Sequence, residues 1–196
     1  MAQLTRVDAL RAIDAAFPDQ PLVLTLGTTV REMLAVAGLK DNHLYVLDSM
    51  GLPPAIGLGL ALGLEDSKFE KLVVVEGDGS LLMGFSAVTT IGRLQPKKLL
   101  LIVLDNGTYA ATGAQPSGAE ATDFAAVARA CGFEGRDVEG AAVLDRELQQ
   151  ARQAPGPRLL RVRIGPQNLK TGYFLEDPVV LCHKFTEFLK RHGPGG

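Results

Sequence analysis

The chain has little cysteine and no long hydrophobic run. Two cysteines, Cys131 and Cys182, lie far apart among 196 residues, and no Cys/His spacing typical of a metal site occurs. We therefore expect a reduced, cytoplasmic protein. The most apolar segments, such as residues 52–64 and 99–104, are too short to cross a bilayer, so no membrane association is predicted. A net charge of −2 gives no indication of a basic surface built for nucleic acid, and no such partner is predicted.

The composition is otherwise that of an ordinary globular protein. Hydrophobic residues make up 46% and charged residues 21%, which excludes disorder, collagen and coiled coil as descriptions of the whole chain. Glycine is abundant, with 22 residues, which predicts many turns or close backbone approaches. No repeat or interdomain linker is visible. We predict one domain over residues 1–192, beginning with an amphipathic helix within residues 1–17, and a disordered tail over residues 193–196.

Short apolar runs alternate with amphipathic stretches of helical length along the chain. Continuous apolar strands are typical of a parallel sheet that is covered on both faces. The pattern predicts an α/β fold, a three-layer α/β/α sandwich with a mostly parallel sheet. The predicted strands are 22–26, 44–47, 72–75, 99–104, 133–138 and 159–164, and the predicted helices after the first are 29–37, 53–64, 86–94, 123–130, 141–153 and 178–190.

Polar, glycine-containing loops follow the first four predicted strands. They cover residues 27–29, 48–51, 77–80 and 105–108. Ligands of open parallel sheets bind beyond the carboxyl ends of the strands. These four loops are therefore the predicted binding site.

The segment Gly77-Asp78-Gly79 resembles parts of several phosphate-binding motifs without completing them. A dinucleotide fingerprint requires glycine where Leu82 stands, and a P-loop requires lysine where Phe85 stands. A nucleophile elbow requires glycine at the position of Val88. These three classes of site are disfavoured.

A metal–diphosphate site fits the same segment better. Asp78 is a hard anionic ligand, Asn106 offers an amide oxygen, and the Thr108 carbonyl follows two residues later. With two diphosphate oxygens and a water, these three oxygens complete the octahedron that Mg²⁺ requires. Gly79 allows close approach of a phosphate, and Ser80 offers its N–H and hydroxyl. The competing interpretation is that Asp-Gly and Asn-Gly simply form turns.

The segments 76–80 and 104–109 together resemble the Gly-Asp-Gly…Asn signature of thiamine-diphosphate enzymes. The family motif often ends in two asparagines, and Asp105 replaces the first of them. Residues 49–61 resemble the family segment beneath the thiamine ring, and the whole resemblance extends over about residues 22–189. It implies thiamine diphosphate and Mg²⁺ as cofactors, Mg²⁺ ligands at Asp78, Asn106 and Thr108, and cofactor contacts at Gly27, Thr28, Thr29, Asp48, Ser49, Met50, Gly77, Asp78, Gly79, Ser80, Asn106, Thr108 and Tyr109. In this resemblance Met50 supports the bent form of the cofactor, while the backbone at Asp48 and Met50 contacts its aminopyrimidine.

The loop over residues 112–117 resembles one branch of the family, the sulfopyruvate and phosphonopyruvate decarboxylases. Only the diphosphate-binding (PP) half of a thiamine enzyme is recognisable, and the activating glutamate of the family lies on the pyrimidine-binding (PYR) half. The resemblance therefore implies a β subunit with no catalytic residue of its own. A separate PYR-domain α subunit is expected to supply the glutamate. The substrate is expected to be a small 2-oxoacid. In the absence of the α subunit, this chain is expected to self-associate. Another thiamine-dependent reaction, such as carboligation or oxidation, and a non-catalytic binding subunit remain open.

Several other polar residues have no predicted role in the site. His43, His183 and His192 are expected to be exposed or to cap helices. Alternation with apolar residues predicts that Arg158, Arg161 and Arg163 lie on the solvated face of an edge strand. We expect Gly57, Gly59 and Gly63 to allow close helix packing, either within the chain or against the partner subunit.

Overall fold

The computed structural model describes residues 3–174 and 176–192, so the predicted tail over residues 193–196 lies outside the described residues. Its strands are β1 (Leu22–Leu24), β2 (His43–Tyr45), β3 (Leu72–Gly77), β4 (Leu99–Asp105), β5 (Thr108–Tyr109), β6 (Gln115–Pro116), β7 (Glu134–Glu139) and β8 (Arg158–Arg163). Its helices are α1 (Arg6–Ala16), α2 (Thr28–Ala37), α3 (Pro53–Gly63), α4 (Asp78–Met83), α5 (Ser86–Leu94), α6 (Phe124–Ala130), α7 (Ala141–Gln153) and α8 (Pro178–His192), with a 3₁₀ turn at Ala119–Ala121.

Six strands form one sheet in the order β2-β1-β3-β4-β8-β7, and every neighbouring pair is parallel. The central strands β3 and β4 are apolar and buried because both faces of the sheet are covered by helices. Their register pairs Gly77 with Leu104, so the two strands end side by side. A small antiparallel pair, β5 and β6, lies beyond the end of β4.

Two hydrophobic cores lie on opposite faces of the sheet. One contains apolar side chains of α1, α2 and α7, such as Leu10, Met33 and Leu148. The other contains side chains of α3, α5 and α6, such as Ile91 and Phe124. The predicted three-layer α/β/α fold is therefore confirmed. No helix within the described ranges has both the length and the apolar character needed to cross a membrane.

The structure corrects the prediction for the arginines of β8. This strand lies between β4 and β7 rather than at an edge, and both Arg158 and Arg161 are buried, whereas Arg163 is exposed as predicted. Arg158 donates from Nε to Glu134 at 2.7 Å, and Arg161 donates from Nε to Asp105 at 2.7 Å. Carboxylates on the two neighbouring strands therefore compensate the buried positive charges.

The prediction for His43 was also wrong. The side chain is buried in β2, with its ring 3.3 Å from the Tyr45 hydroxyl and 3.5 Å from a carboxylate oxygen of Asp14. His183 and His192 are exposed, as expected.

The three glycines predicted to allow close packing differ from one another. A Cβ atom at Gly57 would lie 2.1 Å from Cγ2 of Val74, so this glycine allows α3 to approach the sheet closely. A Cβ at Gly59 or Gly63 would meet nothing within 4 Å among the described residues, so packing within this chain does not explain these two glycines.

Candidate functional site

Asp78 and Asn106 lie together at the carboxyl ends of the paired strands β3 and β4. Asp78 is the first residue of α4 and is 2% exposed. Burial raises the pKa of its carboxyl group, while hydrogen bonds from the Ser117 hydroxyl and from the backbone N–H of Asn106 oppose the rise. The two residues predicted from separate parts of the sequence therefore form one constellation.

The turn after β4 is organised by its own polar side chains. Asp105 accepts a hydrogen bond from the Gly107 N–H at 3.0 Å, and Asn106 accepts one from the Thr108 N–H at 3.1 Å through its Oδ1. Gly107 has a φ of 72°, a conformation that favours glycine. The buried Nδ2 of Asn106 has no partner within residues 3–174 and 176–192. One polar group at this turn is therefore left for a ligand.

The donor set fits a magnesium–diphosphate group. Asp78 contributes a carboxylate, Oδ1 of Asn106 retains a second lone pair beside its bond from Thr108, and Asn106 Nδ2 is a donor suited to a phosphate oxygen. Oxygen atoms are the ligands that Mg²⁺ prefers. The part of the chain that the structure describes contains no group of three His, Cys, Asp or Glu side chains able to hold a metal. A cation here therefore needs oxygens from a bound anion or water to complete its shell.

Close packing explains two glycines of the site. A Cβ at Gly79 would lie 2.4 Å from the ring of Tyr109, and a Cβ at Gly51, whose φ is 80°, would lie 2.6 Å from the backbone nitrogen of Gly84. The hydroxyl of Ser80 accepts a hydrogen bond from the Gly51 N–H at 2.9 Å. Ser80 thus joins the loop over residues 48–51 to α4, which leaves its backbone N–H as the group for an anion.

A cavity of about 110 Å³ lies among these loops. Eleven of the thirteen residues predicted to contact the cofactor line it: Gly27, Thr28, Thr29, Met50, Gly77, Asp78, Gly79, Ser80, Asn106, Thr108 and Tyr109. The remaining two, Asp48 and Ser49, do not line it, and Asp48 instead lines an adjacent groove with Arg31 and Tyr173.

Two charged residues near the cavity were not assigned from the sequence. Arg6 lines the cavity, although the sequence predicts only an amphipathic helix within residues 1–17. Its spacing from Ala9, Leu10 and Ile13 places it on the buried face of α1, and this signal could have identified it. Glu76, two residues before Asp78, is completely buried, and burial raises its pKa to about 7.

Comparison with known proteins identifies the family. Residues 32–162 match the family described as thiamine pyrophosphate enzyme, C-terminal TPP binding domain. The chain is 31% identical over 188 residues to the sulfopyruvate decarboxylase subunit beta of Methanocaldococcus jannaschii, covering 95% of this chain and 97% of that protein. It is 37% identical over 193 residues to the phosphonopyruvate decarboxylase of Streptomyces viridochromogenes, covering 96% of this chain and 47% of that protein.

A solved structure supports the same fold. The thiamine diphosphate-dependent 4-hydroxybenzoylformate decarboxylase of Rhodococcus jostii RHA1 superposes with a TM-score of 0.71 at 22% identity, covering 84% of this chain and 33% of that one. The present chain thus spans about a third of that enzyme and about half of the phosphonopyruvate decarboxylase. The chain belongs to the thiamine pyrophosphate enzyme family, as its C-terminal TPP-binding domain. The predicted thiamine diphosphate cofactor is confirmed at the level of this family, in which Mg²⁺ is the usual companion.

Proposed function

We propose that this chain is the cofactor-binding β subunit of a two-subunit 2-oxoacid decarboxylase that acts on sulfopyruvate, phosphonopyruvate or a similar substrate. The observation that carries the proposal is the pairing of Asp78 and Asn106 at the ends of β3 and β4. The similarity to a separate beta subunit over 97% of its length supports the division into two chains. The two free cysteines are consistent with a cytoplasmic location.

Within this proposal, each loop has a defined task. Asp78, Asn106 and the Thr108 carbonyl hold Mg²⁺, and the backbone N–H groups of Gly79 and Ser80 bind the diphosphate. Gly27, Thr28 and Thr29 also bind the diphosphate, at the point where α2 begins without a side-chain cap. When bound, thiamine diphosphate supplies the nucleophile for the keto carbon and accepts the electrons released with carbon dioxide. The protein binds and orients, and Met50 limits the conformation of the bound cofactor.

The remaining part of the site belongs to a partner. The cavity is smaller than the roughly 300–1,000 Å³ usual for small-molecule sites, so a second surface is needed to enclose the cofactor. Gly51 packs against the backbone of Met83 and Gly84, and the apolar residues Leu52 and Met83 are 50% and 63% exposed. Exposed apolar residues next to the loop over residues 48–51 and at the end of α4 favour a protein partner. We assign this surface to a PYR-domain α subunit that carries the activating glutamate.

The test is a binding and turnover experiment on the chain expressed with its PYR-domain subunit. Asp78→Asn removes the charge of the metal ligand with little change of shape, and Asp145→Asn, at an exposed position of α7, is the matched control. We expect Asp78→Asn to weaken Mg²⁺-dependent thiamine diphosphate binding by at least about 10-fold, because a charge-assisted contact contributes on the order of 1.5–3 kcal/mol. Asp145→Asn should bind normally.

The products separate the proposal from its alternatives. The wild-type complex should release carbon dioxide and free aldehyde from sulfopyruvate or phosphonopyruvate. A ligated or oxidised product would instead establish another thiamine-dependent reaction, and binding without turnover would establish a non-catalytic subunit. Unchanged cofactor affinity in Asp78→Asn would refute the metal site itself.

A further inference from the structure

Arg6 is a buried arginine at a cavity that otherwise holds no positive side chain among its lining residues. It is the first residue of α1, directly after the capping Thr5, and it is 5% exposed. Long cationic side chains are rarely buried unless a partner compensates their charge. Buried Glu32 is such a partner, with Oε2 3.4 Å from Nη1 of Arg6, so what remains to be explained is the use of the other guanidinium donors.

One nitrogen of the guanidinium is held by two residues from elsewhere in the chain. Nη1 donates to Oδ1 of Asn168 at 2.7 Å and to Oε2 of Glu32 at 3.4 Å. Glu32 is completely buried, and its other oxygen accepts a hydrogen bond from the Leu169 N–H at 2.7 Å. The guanidinium is therefore fixed in place before any ligand arrives.

The other donors of Arg6 remain for a ligand. Neither Nε nor Nη2 makes a hydrogen bond to any residue in the described ranges. Arginine presents its N–H groups in a planar fork that matches two oxygens of a phosphate. A fixed guanidinium with its remaining donors at a cavity is suited to an oxyanion.

The charges of the cavity favour the same conclusion. Asp78 is the only carboxylate among the lining residues, and its charge already offsets part of a bound Mg²⁺. A diphosphate therefore brings more negative charge than the metal compensates. Because Glu32 already balances the charge of Arg6, the arginine stabilises the anion through the hydrogen bonds of its remaining donors rather than through net charge.

We propose that Arg6 binds the diphosphate of the cofactor directly, in the cavity that the predicted Mg²⁺ ligands also line. This inference rests on the proposed function, because it requires the cavity to hold thiamine diphosphate. Thr28 and Thr29, at the uncapped N-terminus of α2, line the cavity together with Arg6 and contribute their N–H groups to the same anion. The first helix, which lies outside the matched range 32–162, thereby becomes part of the cofactor site.

The test compares thiamine diphosphate with thiamine, which lacks the phosphates, in calorimetric titrations of the chain assembled with its PYR-domain subunit in the presence of Mg²⁺. Arg6→Gln should lower the affinity for thiamine diphosphate about 10- to 100-fold, as expected for loss of a charge-assisted contact, and should leave the affinity for thiamine unchanged. The affinity of Arg6→Lys for thiamine diphosphate should lie between those of the wild type and Arg6→Gln, because lysine keeps the charge but lacks the planar pair of N–H donors. Arg11→Gln, on the same helix with a side chain 64% exposed, is the control and should match the wild type.

Arg6→Gln leaves the buried carboxylate of Glu32 without its cation and could misfold for that reason alone. A second variant therefore separates loss of the ligand contact from loss of the fold. Arg6→Gln with Glu32→Gln removes both charges and should show the same selective loss for thiamine diphosphate. Equal affinity of this double variant and the wild type for thiamine diphosphate would overturn the inference. So would a selective rise in the KM of the 2-oxoacid, which would assign Arg6 to the substrate. Failure of the wild-type complex to bind thiamine diphosphate at all would instead overturn the proposed function.

Discussion

Replacing Arg161 with methionine removes the cation from a buried ion pair that supports the predicted metal site. The side chains of Arg161 and Asp105 are 5% and 0% exposed, and Nε lies 2.7 Å from Oδ2. Asp105 in turn accepts the Gly107 N–H at 3.0 Å and so shapes the turn that carries Asn106. This pairing also gives a physical reason for the aspartate at a position where the family often has asparagine.

The expected loss follows from the burial of the remaining carboxylate. Removing one partner of a buried pair costs about 3–5 kcal/mol, because the other charge stays without compensation. We expect the lower end, about 3 kcal/mol, because Nη1 of Arg163 lies 3.3 Å from the same oxygen. For a chain of this size that loss lowers the Tm by about 6–12 °C.

Urea denaturation followed by circular dichroism measures the change in the free energy of unfolding. Arg163→Met is the matched control, because it touches the same oxygen of Asp105 but has a side chain 43% exposed, and it should cost under about 1 kcal/mol. Replacing Arg161 by Met together with Asp105 by Leu should recover part of the loss, since no unpaired charge remains. A loss below about 1 kcal/mol for Arg161→Met, or equal losses for the two arginines, would refute the reasoning.

Two further predictions concern stability. Gly57→Ala should destabilise the chain by about 1–3 kcal/mol through overpacking against β3. Gly59→Ala lies on the same helix with open space around it and should stabilise the chain by about 0.5–1 kcal/mol. Thermal denaturation of both variants measures the two effects, and equal changes in Tm would contradict the prediction. Burial lowers the pKa of His43 to about 4, with Asp14 opposing and Lys40 adding to the effect, so the unfolded chain binds a proton near pH 6.5 that the folded chain excludes. The free energy of unfolding should therefore fall by up to about 3 kcal/mol as the pH drops from about 6.5 to 4. Urea midpoints measured at these two pH values should differ less in His43→Gln than in the wild type. An equal fall in both proteins would contradict the prediction.

The regular elements were largely predictable from local patterns. The range 141–153 coincides with α7, and the apolar run 99–104 differs from β4 by one residue. The main omission is α4, since Asp78, Gly79 and Ser80 are residues that favour turns and the prediction placed a loop there. Tertiary packing made this segment helical: Leu81 is completely buried in the core beneath it.

The candidate site was predictable where a motif carried it and not where distant segments meet. Asp78 and Asn106 were found because both follow apolar strands, and parallel pairing brings the strand ends together. Arg6 was not assigned to the site, because its contacts with Glu32 and Asn168 join residues 26 and 162 positions away in the chain. The spacing along α1 indicates that Arg6 is buried, but no local pattern encodes its contacts with these distant residues.

The sequence by itself determined the alternation of strands and helices, the parallel sheet and the loops that form the predicted cofactor site. These depend on short-range periodicity and on a motif whose residues lie at strand ends. Only the tertiary structure decided which charges are buried. Arginines and apolar residues alternate along β8, and this pattern would be the same in an edge strand and in an interior strand. The carboxylates of Asp105 on β4 and Glu134 on β7 are what make burial of Arg161 and Arg158 tolerable. The energy of a charge depends on its surroundings in space, which the order of residues along one strand does not specify.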